Sequence, residues 1–177
     1  LTAESRKLVR EDRASGINYL LLKPDDVPTY VEYGAADLGI VGRDVLMERD
    51  YDVLAPVDLD IGKCRMMVCG LPKESLSGRG ERPLRGATKF PHIAERHFRA
   101  KGTPVELIFC QGSVELAPLT GLADVIVDLV ETGETLKQNG LVTLEKIADI
   151  SSVVNANRAG LKLRRTAIQP ILDALRV

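Results

Sequence analysis

Short apolar blocks alternate along this chain with charged breaks that contain glycine and proline, a pattern that predicts strands alternating with helices. INYLLLKP (Ile17 to Pro24) reads as a buried strand. Asp25, Asp26 and Pro28 then supply the acidic first turn and early proline of a helix running to about Tyr33. DLGIVG (Asp37 to Gly42) is a second short strand and RDVLMERD (Arg43 to Asp50) a short helix. YDVLAPVDL (Tyr51 to Leu59) and KCRMMVCG (Lys63 to Gly70) are two further strands. The polar stretch ahead of them, LTAESRKLVRED, is helix-like, with nothing strand-like before it. Together these segments predict βαβ units and a mostly parallel sheet.

KESLSGRGERPLRG (Lys73 to Gly86) breaks the pattern: it is polar, rich in Gly and Arg, and has no apolar period, so it reads as a solvated loop or linker. Regular structure resumes with ATKF and then PHIAERHFRAKG (Pro91 to Gly102), a helix with proline at its first position and glycine just past its end. PVELIFCQG (Pro104 to Gly112) is a strand, SVELAPLTGLA (Ser113 to Ala123) a short helix and turn, and DVIVDLV (Asp124 to Val130) the next strand. A helix follows and stops at Asn139-Gly140. LVTLEKIADISSVVNAN (Leu141 to Asn157) is extended and β-branched. The last segment has the helical spacing of Leu161, Ile168, Ile171, Leu172 and Leu175, with Pro170 interrupting or restarting the helix. There is no internal repeat. The break at Lys73 to Gly86 predicts two α/β lobes with a cleft between them.

Composition narrows the function classes. With 177 residues, 45% hydrophobic and 28% charged, the chain can bury a sizeable core. Its 24 Lys and Arg nearly balance 25 Asp and Glu, so no global field favours nucleic acid or a membrane. No apolar run reaches the length of a membrane span and the N-terminus has no hydrophobic signal core, which predicts a cytoplasmic protein. The chain starts at Leu1 rather than Met, so some N-terminal sequence is expected to be missing. Cys64, Cys69 and Cys110 lack C-x-x-C spacing and lie in apolar runs, where they read as small buried hydrophobes. His92 and His97 belong to one helix without the spacing of metal ligands, and no metal site is assigned to protein side chains. Nor do the residues form a Ser-His-Asp or Cys-His set.

The candidate chemistry lies in DVIVDLVETGETL, Asp124 to Leu136. A strand of a parallel sheet delivers its last residues to the carboxyl edge, where open α/β folds bind ligands. A helix beginning there offers unpaired backbone N–H groups to an anion. Thr132 and Thr135 add hydroxyl donors, Gly133 allows close backbone approach, and Glu131 and Glu134 must turn outward if a phosphate is to lodge against residues 132 to 135. Asp128, at the strand end, can then accept hydrogen bonds from sugar hydroxyls. A capped turn with no ligand uses the same residue types, so local physics alone leaves both readings open.

VIVDLVETGET resembles the phosphoribosyl-pyrophosphate loop of phosphoribosyltransferases. Type I enzymes usually set two acids side by side, whereas Leu129 follows Asp128 here, which disfavours that type. Three longer runs, GSVELAPLTGLADVIVDLVETGETLKQNGL (Gly112 to Leu141), ADLGIVGRDVL (Ala36 to Leu46) and ATKFPHIAERHF (Ala87 to Phe98), are closely similar to the ATP phosphoribosyltransferases of histidine biosynthesis, and the similarity covers nearly the whole chain. That resemblance implies two lobes like those of type II periplasmic binding proteins. The chain would cross between them near Met67 to Leu71 and near Ile150 to Val154, giving residues 1–70 and 152–177 as one lobe and 71–151 as the other.

The resemblance also implies roles. Asp128 would hold the ribose hydroxyls at the reacting centre, and Glu131, Thr132, Gly133, Glu134 and Thr135 would wrap the ribose 5-phosphate. Gly112, Ser113 and Glu115 would shape the same edge, with a helix cap made by Ser113 as the alternative. Gly42, Arg43 and Asp44 would face the cleft, where Arg43 either meets a triphosphate or makes a surface salt bridge. Lys89 either reaches pyrophosphate or stays at the surface. The implied reaction is a glycosyl transfer: N1 of ATP attacks the anomeric carbon of phosphoribosyl pyrophosphate and pyrophosphate leaves, with Mg2+ bound mainly through the pyrophosphate and no covalent nucleophile or dedicated base.

Family members begin with a strand and a Pro-Lys-Gly-Arg-like segment that this chain lacks. The chain resembles the short form, without a regulatory domain, which implies a hetero-oligomer with a regulatory subunit resembling histidyl-tRNA synthetase. The rival readings are a two-lobed small-molecule binding module and a phosphoribosyltransferase with another acceptor.

Overall fold

The computed structural model describes residues 7–74, 76 and 82–176, which fall into two compact α/β units. One gathers the residues up to Val45, Tyr51–Leu59 and those from Val153 on. The other holds Leu46–Asp50 and Asp60–Ser152.

The first unit opens with a hairpin, β1 (Val9–Asp12) antiparallel to β2 (Ile17–Leu20). The helix expected in the N-terminal segment is therefore not found from Val9 on, and residues 1–6 lie outside the described residues. The turn sequence decides the matter: the Asp12 carboxylate accepts from the Ala14 N–H (3.1 Å) and the Ser15 hydroxyl (2.7 Å), and Gly16 takes the left-handed conformation, φ 69°. β2 is also shorter and more exposed than a buried strand to Pro24 requires. A 3-10 turn (Pro24–Asp26) leads into α1 (Val27–Glu32), then β3 (Leu38–Gly42), α2 (Arg43–Glu48), whose residues from Leu46 on belong to the other unit, and β4 (Val53–Asp58). β10 (Ser152–Asn157) returns between β3 and β4, antiparallel to β4.

Asn157 ends β10 and caps α6 (Arg158–Leu163). Its side-chain oxygen accepts from the Gly160 N–H (2.7 Å), while its side-chain NH2 donates to the carbonyls of Val31 and Glu32. The helix boundary that follows falls at Arg164. Pro170 lies inside α7 (Arg165–Leu175), correcting the expectation that proline breaks the helix. Burial of Ile168 and Leu172 against Val57 and Val154 holds the helix through the bond that Pro170 cannot donate.

The second unit is built on a five-stranded sheet in the order β7-β6-β8-β5-β9. Its strands are β5 (Cys64–Gly70), β6 (Leu84–Thr88), β7 (Val105–Phe109), β8 (Val125–Val130) and β9 (Val142–Ile150). β6 is parallel to β7 and β8, but β5 is antiparallel to β8 and β9, so the sheet is mixed rather than mostly parallel. β5 was expected at the end of the first lobe. Its pairing with β8 and β9 instead places it in this sheet, and the units divide at Leu59/Asp60 and Ser152/Val153. Part of the expected loop Lys73 to Gly86 is likewise strand: Leu84 is buried, and the Arg85 N–H and guanidinium both donate to Asp124 (2.9 and 3.2 Å). Residues 75 and 77–81 of that loop lie outside the described residues.

Helices α3 (Pro91–Ala100), α4 (Leu116–Leu119) and α5 (Glu134–Gln138) connect the strands. One face of the sheet packs Met66, Val68, Val125 and Val127 against Ile93, Ala94 and Phe98 of α3. The other packs Met67, Cys69, Ile126 and Val130 against Val114, Ala117 and Leu136. Glu48 accepts from the His92 and Ile93 N–H groups (3.0 Å each), satisfying donors that the first turn of α3 leaves open.

Candidate active site

Because β6, β7 and β8 are mutually parallel, their carboxyl ends share one sheet edge. Lys89, the segment Cys110 to Glu115 and the turn Glu131–Thr135 all emerge there. Asp128 is two residues short of the end of β8, on the face shared by Ile126 and Val130, and directly opposite Met67 of β5. Burial raises its carboxyl above the ordinary 3.8, and the Glu115 charge adds to the shift. The Leu129 N–H, which donates to Asp128 Oδ1 at 2.8 Å, and the Lys89 ammonium act the other way. The same environment pushes the Cys69 thiol up to about 12, through burial and then the Asp128 charge, so this cysteine is an inert core residue.

The turn after β8 depends on one glycine. Gly133 stands just before α5 at φ 79°, ψ 6°, a left-handed conformation that a side chain resists. Thr132 Oγ1 accepts from the Glu134 N–H at 3.3 Å, and the Glu134 carboxylate accepts from the Gln138 amide at 3.2 Å. Glu134 is thus turned along the helix and away from the concave side of the turn. The N–H groups of Gly133 and Thr135 and the threonine hydroxyl protons remain for a ligand. α5 has only five residues, so its dipole adds little and the nest is the backbone turn itself.

The other candidate residues separate. Glu115, not Ser113, stands at the N-cap of α4, where no side chain caps the helix, so the alternative reading of Ser113 as a cap is not found. Ser113 is instead held at φ 49°, an uncommon conformation for a residue with a side chain, directly after Gly112. Lys89 lies over the Phe90 ring, its Nζ 5.7 Å from the centroid, close enough to act on Asp128. Gly42, Arg43 and Asp44 belong to the first unit. There Arg43 makes the salt bridge that was its alternative reading, 2.8 Å to Asp58, and a side chain on Gly42 would collide with Asp44 Oδ1 at 2.2 Å. His92 pairs with Glu48 and His97 faces Glu145. Among the described residues no group of three or more His, Cys, Asp or Glu is placed to hold a metal ion, and no helix is long and apolar enough to cross a membrane.

One residue at this edge was missed from sequence. Arg65 begins the run of β5 that lies against β8 and stands opposite Val130, immediately before the turn. Only strand register brings the two segments together, and nothing local to KCRMMVCG signals it.

The comparisons with known proteins converge. The family described as HisG, ATP phosphoribosyltransferase, matches residues 23–177. An ATP phosphoribosyltransferase from Sorangium cellulosum is 51% identical over 99% of this chain and 82% of that protein. One from Chromobacterium violaceum is 52% identical over 96% of this chain and 81% of its own length. Among solved structures, the ATP phosphoribosyl transferase (HisG:HisZ) complex from Thermotoga maritima superposes with a TM-score of 0.86 at 35% identity, covering 99% of this chain and 85% of that one. The periplasmic aliphatic sulphonate binding protein SsuA from Escherichia coli gives a TM-score of 0.56 at 14% identity over 83% of this chain and 56% of that chain, a likeness of fold alone. These two neighbours bear out the expected fold class, two α/β lobes resembling periplasmic binding proteins.

Proposed function

The chain belongs to the ATP phosphoribosyltransferase family, and from that premise we propose that Asp128 and the turn Glu131–Thr135 form its phosphoribosyl site. The enzyme transfers the 5-phosphoribosyl group of phosphoribosyl pyrophosphate to N1 of ATP, releasing pyrophosphate, in the first step of histidine biosynthesis. The observation that carries the site is the placement of a carboxylate and a left-handed glycine turn on one sheet edge, the acid two residues before the strand ends and the turn directly after it.

In the reaction the bond from the anomeric carbon to the pyrophosphate oxygen breaks as N1 of the adenine forms its bond on the opposite face, with inversion. The sugar gains positive character and the leaving group negative. The Asp128 carboxylate accepts from the ribose hydroxyls and lies where positive charge develops. Gly133 and Thr135 N–H groups and the two threonine hydroxyls fix the 5-phosphate, so that the anomeric carbon meets the attacking nitrogen in line. Gly112, Ser113 and Glu115 border the same edge, and Lys89, which already acts on Asp128, would offset charge on the departing pyrophosphate. A magnesium ion arriving on the pyrophosphate would supply charge neutralisation to the leaving group. In the first unit, Arg43 would exchange Asp58 for a phosphate of ATP, with Gly42 and Asp44 beside it. The Thermotoga relative is a HisG:HisZ complex, which supports assembly of this chain with a regulatory partner resembling histidyl-tRNA synthetase.

The test is turnover of ATP and phosphoribosyl pyrophosphate by the full-length protein, with and without such a partner. Asp128→Ala is expected to lower kcat/KM for phosphoribosyl pyrophosphate by about 100-fold or more while the KM for ATP changes little, since a charge-assisted bond strengthened in the transition state is worth roughly 3 kcal/mol. Wild-type turnover in that variant would remove Asp128 from the site.

A further inference from the structure

We propose that Arg65 is the cation that pairs with the ribose 5-phosphate, completing from β5 the phosphate turn that follows β8. The inference rests on the reading of the Glu131–Thr135 turn given above and adds to it a residue from a distant part of the chain.

Register and face place it. Arg65 is opposite Val130, the last residue of β8, in a β5·β8 ladder that runs without a shift from Arg65 to Gly70. Opposed residues on neighbouring strands have Cβ atoms about 5 Å apart. Side chains alternate between faces, and Met67 and Cys69, two and four residues on, pack with Ile126 and Val130. Arg65 therefore shares the face of Val130 and Asp128 and sits at the end where the phosphate turn begins. Met66 and Val68 occupy the opposite face.

Its guanidinium is also unclaimed. Arg65 is exposed, and among the described residues its side chain makes no hydrogen bond or ion pair. The obvious structural partner is Asp149, its opposite number on β9, but both oxygens of that carboxylate accept from Lys146 (3.2 and 2.9 Å). Lys63, two residues earlier, is bound to Asp60 at 2.7 Å.

Charge supplies the reason. The edge carries Glu115, Asp128, Glu131 and Glu134, and a ribose 5-phosphate adds a charge of roughly −2. Gln138 orients Glu134 without neutralising it. Lys89 and the backbone N–H groups do not balance four carboxylates and a phosphate, whereas a guanidinium meets a phosphate with two parallel hydrogen bonds.

The experiment is competition binding with ribose 5-phosphate and, separately, pyrophosphate, by calorimetry on the full-length protein. Wild type, Arg65→Gln, Arg65→Lys, Asp149→Asn and Thr132→Val are compared, with thermal unfolding of each. Arg65→Gln is expected to weaken ribose 5-phosphate at least tenfold, to leave pyrophosphate within twofold, and to keep the wild-type Tm. Arg65→Lys should recover part of the loss, and Asp149→Asn should bind as wild type. Weakening of pyrophosphate in place of ribose 5-phosphate would overturn the assignment, as would a loss reproduced by Asp149→Asn, which would mark Arg65 as a cross-strand support. If Thr132→Val weakens ribose 5-phosphate and Arg65→Gln does not, Arg65 drops out and the turn stands. If neither variant changes binding, the turn reading falls and takes the Arg65 inference with it.

Discussion

Asp128, the acid proposed to hold the ribose, is kept in the fold at a cost in stability. Burial penalises its carboxylate, Glu115 adds repulsion, and the Leu129 N–H and Lys89 offset only part of this, so its pKa in the folded protein lies above the ordinary 3.8. A carboxyl raised on folding favours the folded state while it is protonated, below the unfolded value, and that advantage is lost as pH rises through the folded value. At neutral pH the ionised Asp128 is therefore a liability. Asp128→Asn should raise Tm at pH 7 to 8, with the gain shrinking as pH falls toward about 4, while binding of phosphoribosyl pyrophosphate is lost. Thermal unfolding followed by circular dichroism across that range checks this, and a variant less stable than wild type at pH 8 would contradict the sign. Among the proposed site residues, Asp128 and the Thr-Gly-x-Thr turn were legible because their chemistry is contiguous in sequence. Arg65 was not, since a single arginine in an apolar strand carries no local sign of what it will lie beside.

At the scale of elements, close packing decides what patterns cannot. β3 is packed so tightly between β10 and α1 that a side chain at Gly39 would lie 2.4 Å from Asn155 Oδ1, 2.6 Å from Val27 Cγ1 and 2.9 Å from Val31 Cγ2. Asn155 and Val31 are fully buried and have little room to yield. Gly39→Ala is expected to destabilise the protein by about 1 to 3 kcal/mol, read from the midpoint of urea unfolding. No change in midpoint would mean that this packing is looser than drawn. The order of strands and helices from Asp37 onward followed from the spacing of apolar residues. The exceptions have physical causes: Asp12 and Ser15 build a hairpin turn inside a stretch of helix-like composition, Arg85 hides the first half of β6 by being paired to Asp124, and Ile168 and Leu172 carry α7 past Pro170.

For the whole molecule, what sequence conveyed was the fold class and the family. What it did not convey was strand direction, because an apolar run reads the same whether its neighbour is parallel or antiparallel. β5 is the consequential case. Assigned to the first lobe from the family resemblance, it instead runs antiparallel between β8 and β9, and that reversal brings its first residues, Arg65 among them, to the edge where β8 releases the Glu131–Thr135 turn. The division of the chain near Leu59 and Ser152 follows from the same pairing. The most direct test of the phosphoribosyl site is calorimetric titration of phosphoribosyl pyrophosphate with magnesium into the full-length protein and its Thr132→Val variant. Loss of one hydroxyl donated to a charged group is worth about 1.5 to 3 kcal/mol, so saturable wild-type binding weakened roughly tenfold or more in the variant is the expected result. Equal affinities in two folded proteins, or no binding to either, would contradict the assignment of the Glu131–Thr135 turn.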